Sequence, residues 1–126
     1  MVATSSAQNH ILIVEDDVDL REAICDVLTE AEYQVTGASD GHEALEALRA
    51  PGAPRPCVIL LDLMMPVMSG YEFRDAQKAD PDLADIPVVV MSARWSGKDE
   101  IDADEFIPKP IEVDRVLAAL RRLCSC

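Results

Sequence analysis

Long apolar runs are missing from this sequence. No stretch approaches the roughly 20 apolar residues that a membrane-spanning helix needs. The first ten residues, Met1 to His10, carry no basic segment followed by an apolar one, so no secretory signal is expected. Basic residues are scarce, with 11 Lys and Arg against 24 Asp and Glu, a formal net charge of −13. Such a surface repels a phosphate backbone, and no direct nucleic-acid binding is expected. Cys25, Cys57, Cys124 and Cys126 show no CxxC spacing and no nearby His cluster. Neither a zinc site nor a disulfide framework is suggested, and all four are expected to be plain thiols. With no membrane span and no signal, a cytoplasmic location is the default expectation.

What is present fits one soluble domain. The chain has 126 residues, 49% of them apolar and 28% charged, enough to bury a single core without staples. We expect a tail over residues 1–9, one domain over 10–123 and a short C-terminal tail over 124–126. The segments His10–Val14, Cys57–Leu61 and Pro87–Met91 are short continuous apolar runs, which suit strands buried on both faces. Tyr33 to Ala38 is more polar, and Glu105-Phe106-Ile107 is short and followed by Pro108; both are assigned to sheet edges.

Between the strands, apolar residues recur at helical spacing: Leu20, Ile24, Val27, Leu28 and Ala31; Ala44, Leu45 and Leu48; Val113, Val116, Leu117 and Leu120. Asp40 followed by Glu43 resembles a capping box that opens the second helix. A third helix is predicted from about Gly70 to Ala79, ending where Pro81 forces Asp80 out of the helical region. Strands and helices therefore alternate from end to end, the pattern of an α/β fold with a parallel sheet.

In such a sheet, ligands bind at the carboxyl ends of the strands, so the residue that follows each strand carries the chemistry. Here the first strand ends in Glu15-Asp16-Asp17, the third in Asp62, the fourth in Ser92 and the fifth in Lys109. Singly, Asp62 reads as a turn residue, Ser92 as a helix cap and Lys109 as a surface lysine. Asp17 and Asp19 read better as acidic residues at a helix N-terminus. Together the strand-end residues form a site. Carboxylates that converge raise each other's pKa, a cost that a divalent cation removes. Oxygen-only ligands favour Mg²⁺ over zinc or copper. Such an ion would neutralise charge as a phosphoryl group transfers in line to Asp62, with Lys109 and the Ser92 hydroxyl binding its oxygens.

The segments Ile11–Asp17, Val58–Gly70, Met91-Ser92-Ala93 and Phe106–Pro110, in this order and spacing, resemble the response-regulator receiver family, the CheY-like domains of two-component signalling. The resemblance covers about His10 to Leu123. It implies a flavodoxin-like doubly wound sheet of five parallel strands in the order 2-1-3-4-5, flanked by five helices. It also implies phosphoryl transfer from a histidine kinase or a histidine phosphotransfer protein, and a signalling phosphoacceptor rather than an enzyme. By position, Asp62 is the implied phosphoacceptor. Glu15, Asp16, Asp62 and the Met64 backbone carbonyl are the implied metal ligands, Ser92 and Phe106 the implied switch pair, and Lys109 the implied conserved lysine. Gly70 stands where the family needs a close approach.

Two departures stand out. Glu15 replaces the commoner Asp, and residues 93–108, only 16, separate Ser92 from Lys109. A fourth helix near Lys98 to Ala103 is therefore expected to be shortened. Trp95 reads as a sensor of phosphorylation or a partner contact and equally as core packing, and Arg94 is placed to reach the phosphoryl group. Because the sequence stops soon after the last helix, a stand-alone regulator acting by protein contact is expected, with a fragment of a larger protein as the alternative. Three rival functions fit less well. A haloacid-dehalogenase-like phosphatase would use Asp17-Val18-Asp19, but its DxDx[TV] pattern is only partly matched here. A flavodoxin-like cofactor binder would not place three carboxylates at its phosphate site. A non-phosphorylated receiver-like interaction module would not need the full set of polar residues.

Overall fold

The computed structural model describes residues 9–92 and 103–124. The expectations for Arg94, Trp95 and the shortened helix, and most of the N-terminal tail, lie outside them. Five strands, β1 (His10–Val14), β2 (Gln34–Ala38), β3 (Val58–Asp62), β4 (Val88–Ser92) and β5 (Glu105–Pro108), form one sheet in the order β2-β1-β3-β4-β5. All its pairings are parallel. Among the described residues there are four helices: α1 (Val18–Glu30), α2 (Gly41–Arg49), α3 (Gly70–Ala79) and α4 (Val113–Leu123). None of them is long and apolar enough to cross a membrane.

Every residue of β1, β3 and β4 is buried, which explains why their sequences are continuous apolar runs. Alternate side chains feed two cores, one on each face. Leu12, Val14, Ile59, Leu61, Val88 and Val90 pack with Ala44 and Leu45 of α2 and Phe73 of α3. Ile11, Ile13, Val58, Leu60, Val89 and Met91 pack with Ile24 and Leu28 of α1 and with Val116 and Leu120 of α4. The polar strand β2 and the short β5 take the two edges, as expected from their sequences.

Local chemistry sets the helix starts. The Asp40 carboxylate accepts from the Glu43 amide at 2.8 Å, while Glu43 reaches back to the Ser39 amide at 2.6 Å. Ser69 and Glu72 complete a reciprocal capping box at the start of α3. Both devices anchor helices whose N-termini lie on the side of the sheet where the strands end.

One expectation is overturned. Cys57 and Cys124 form a disulfide rather than standing as plain thiols, while Cys25 is free and half-buried. Cys57 lies just before β3 and Cys124 just past α4, and packing α4 on the sheet brings their Cα atoms to 5.3 Å, within disulfide range. Their 67-residue separation in sequence gives no hint of this, because the approach is made by the sheet and not by local spacing. The pair also buries Cys124 against the α1/α4 core.

Candidate functional site

Parallel strands bring their carboxyl ends to one edge of the sheet, and there the predicted residues meet. Glu15 and Asp16 follow β1, Asp62 closes β3, Ser92 closes β4 and Lys109 follows β5. Glu15, Asp62 and Ser92 are buried, with Glu15 fully so and Asp62 at 3% exposure, while Asp16 is exposed. Carboxylate oxygens of Glu15, Asp16 and Asp62 lie within 4.8 Å of one another.

Lys109 joins two of them. Its ammonium stands 2.9 Å from Glu15 Oε1 and 3.5 Å from Asp62 Oδ1. Its amide donates to the Ser92 carbonyl at 2.9 Å, which ties the end of β5 to the end of β4, and the peptide bond that follows it, to Pro110, is cis. The remaining anchors are backbone amides: Asp17 donates to Glu15 Oε2 at 3.1 Å and Met64 to Asp62 Oδ1 at 3.4 Å. Apart from the Lys109 ammonium, no donor reaches the buried Glu15 Oε1 among the described residues.

The electrostatics follow from burial. Desolvation pushes the Glu15 carboxyl above its ordinary pKa, Lys109 and the Asp17 amide opposing and the Asp62 charge adding to the rise. Asp62 is likewise raised by burial, against the pull of Lys109 and the Met64 amide. Burial works to lower the Lys109 ammonium, but its pairing with Glu15 and Asp62 prevails and the net shift is upward. One cation therefore faces two crowded anions, and a third lies beside them. That donor set, hard oxygens with one buried oxygen met by the ammonium alone, fits a divalent cation such as Mg²⁺.

The other sequence candidates fall as follows. Asp17 caps α1, its Oδ1 accepting from the Leu20 amide at 3.2 Å, so the acidic pair of the phosphatase pattern begins with a helix cap. Met64 is exposed in the loop after β3. Phe106 lies on β5 in register with Val90, half-buried against the α2/α3 core. Gly70 is where the close approach is needed: a Cβ there would sit 2.4 Å from the Asp62 carbonyl oxygen and 2.8 Å from Leu63 Cα. Sequence reading passed over Arg21, whose Nη1 donates to the Glu15 main-chain carbonyl at 2.6 Å. A hint lay in Gly37, a glycine inside a strand, which often marks a close approach; the Arg21 side chain lies over it.

Residues 11–121 match the response regulator receiver domain model. The chain belongs to the response regulator receiver family. It is 38% identical over 122 residues to the phosphate regulon transcriptional regulatory protein PhoB of Escherichia coli K12, a match that takes in 90% of this chain and 52% of that protein. The chain thus spans about half the length of the curated relatives it matches. Among solved structures, the signal receiver domain of a histidine kinase from Syntrophus aciditrophicus superposes with a TM-score of 0.83 at 34% identity, covering 92% of this chain and 89% of that one. The phosphorylated cyanobacterial phytochrome response regulator RcpA gives a TM-score of 0.76 at 29% identity, covering 90% and 89%. The acidic pocket of this receiver is the kind typical of Mg²⁺-dependent aspartate phosphorylation, in a signalling phosphoacceptor rather than a true enzyme.

Proposed function

We propose that this receiver accepts a phosphoryl group on Asp62 from a phosphohistidine of a kinase or phosphotransfer partner. A carboxylate oxygen of Asp62 attacks phosphorus, the phosphorus–nitrogen bond of the donor breaks, and an acyl phosphate forms while the imidazole leaves. Lys109 pairs with the arriving phosphoryl oxygens, and the Ser92 hydroxyl at the end of β4 donates to one of them. Glu15, Asp16, Asp62 and the Met64 carbonyl would hold Mg²⁺, which when bound neutralises the crowded carboxylates and the phosphoryl oxygens. Ser92 and Phe106 then act as the switch: once the hydroxyl is drawn toward the phosphoryl group, the half-buried ring turns inward and changes the surface beside β5.

The observation that carries this reading is the convergence of Glu15, Asp16 and Asp62, their carboxylate oxygens within 4.8 Å of one another, with the Lys109 ammonium against Glu15 and Asp62. Val18, Met64, Val67 and Val113 are exposed apolar residues on loops or helix starts at the same edge, a surface suited to an apolar face of the donor protein. Intact-mass measurement after treatment with a small phosphodonor tests the reading. The wild type should gain one phosphoryl group with Mg²⁺ and none after chelation, and Asp62→Asn should gain none in either condition. Equal labelling of Asp62→Asn would overturn it.

A further inference from the structure

We propose that Arg21 is a positioning residue for the acidic pocket: by holding the Glu15 main-chain carbonyl it sets where the Asp16 carboxylate stands relative to the cation. The inference rests on reading the pocket as a Mg²⁺ site, and deepens it.

Three observations support it. First, the bond is short and charge-assisted, Nη1 to the Glu15 oxygen at 2.6 Å, and comes from a helix rather than from the strand ladder. The carbonyl it holds belongs to the planar peptide unit joining Glu15 to Asp16, so fixing that oxygen fixes the plane from which Asp16 departs. Second, the three carboxylates are anchored unequally. Glu15 is held by the Asp17 amide and Lys109, and Asp62 by the Met64 amide and Lys109. Among the described residues no hydrogen bond or ion pair reaches the Asp16 side chain, which is exposed. Its placement is therefore inherited from its backbone, and Arg21 holds that backbone. Third, β2 leaves room for the arm. A Cβ on Gly37 would lie 3.2 Å from Arg21 Cδ and 3.4 Å from Nε, tighter than ordinary contact. Gly37 is paired with Ile13 in the sheet, where glycine is a poor strand former, and its missing side chain is where the Arg21 stem passes.

The plain competing account is that Arg21 only packs its stem on the edge strand. The two accounts differ in what Arg21→Met does, since Met keeps an apolar stem and removes the donor. Partners that orient metal ligands from outside the coordination sphere commonly cost about 10–100-fold in metal affinity when lost. We therefore expect calorimetric titration with Mg²⁺ alone, at fixed pH and ionic strength, to show Arg21→Met binding about tenfold or more weakly than wild type, and Arg21→Ala binding no better. Phosphorylation of Arg21→Met should reach the wild-type plateau, but only at higher Mg²⁺. Wild-type affinity in folded Arg21→Met, with loss confined to Arg21→Ala, would assign Arg21 to packing and overturn the proposal. Should Arg21→Met fail to fold, Gly37→Val tests the same point with Arg21 intact: crowding of the stem should weaken Mg²⁺ binding, and unchanged affinity would overturn it. A wild-type protein that binds no Mg²⁺ would instead overturn the pocket reading itself.

Discussion

Asp62 stands in a place that disfavours its charge, nearly removed from water and beside Glu15, and burial raises its pKa. Lys109 offsets part of the cost but is shared between two carboxylates and stands closer to Glu15. The consequence for stability has a definite sign. A carboxyl whose pKa is raised by folding contributes stability below its unfolded pKa of about 4, and that contribution is lost as pH rises through the folded value. Without Mg²⁺, Asp62→Asn should therefore be more stable than wild type at neutral pH, by about 0.5–2 kcal/mol as is usual when a strained functional site is relieved. The gain should shrink toward zero as pH falls to about 3, below the unfolded carboxyl pKa. Thermal unfolding across that range checks it. Lower stability of Asp62→Asn at neutral pH would mean that Lys109 outweighs burial.

At the scale of elements, the site depends on how tightly the β3–α3 connection is drawn. The Gly70 amide donates to the Leu63 carbonyl at 3.0 Å, and no room remains for a Cβ against the Asp62 backbone. Gly70→Ala must push either the end of β3 or the start of α3 aside. We expect it to cost about 1–3 kcal/mol, typical of overpacking, and to slow phosphorylation although no ligand is altered. Denaturant titration and labelling rate, measured together, check this, and an unaffected rate with normal stability would show that the connection has slack. Much of this element structure was legible in sequence because the central strands are buried on both faces and so read as unbroken apolar runs, while the edge strands betray themselves by polarity and by Pro108. The strand-end residues were legible for the same reason, since parallel strands must deliver Glu15, Asp62, Ser92 and Lys109 to one edge. Arg21 was not, because its partner is a main-chain carbonyl that carries no sequence signature. Nor was the sharing of Lys109 between Glu15 and Asp62, which depends on the reach of Glu15 in the folded pocket.

For the molecule as a whole, two cores clamp the sheet from opposite faces, and the Cys57–Cys124 disulfide ties the last helix to the foot of β3, the end of that strand opposite Asp62. Closing a loop of this length restricts the unfolded chain, an effect worth roughly 2–4 kcal/mol. Reductant should accordingly lower the melting temperature by about 10 °C for a domain of this size, while phosphorylation of the folded protein continues because the tether lies away from the pocket. An unchanged melting temperature after complete reduction would show that helix packing alone holds this end. The disulfide was hidden in the sequence because its two cysteines are neighbours only after α4 has docked.

The central claim, that the acidic pocket delivers a phosphoryl group to one particular carboxylate, is tested most directly by trapping the acyl phosphate with borohydride and mapping the reduced peptide. Homoserine at position 62, formed only when Mg²⁺ and phosphodonor are both present, is the predicted result. Homoserine at position 16 or 17, or a stable phosphate on another residue with position 62 untouched, would contradict the account.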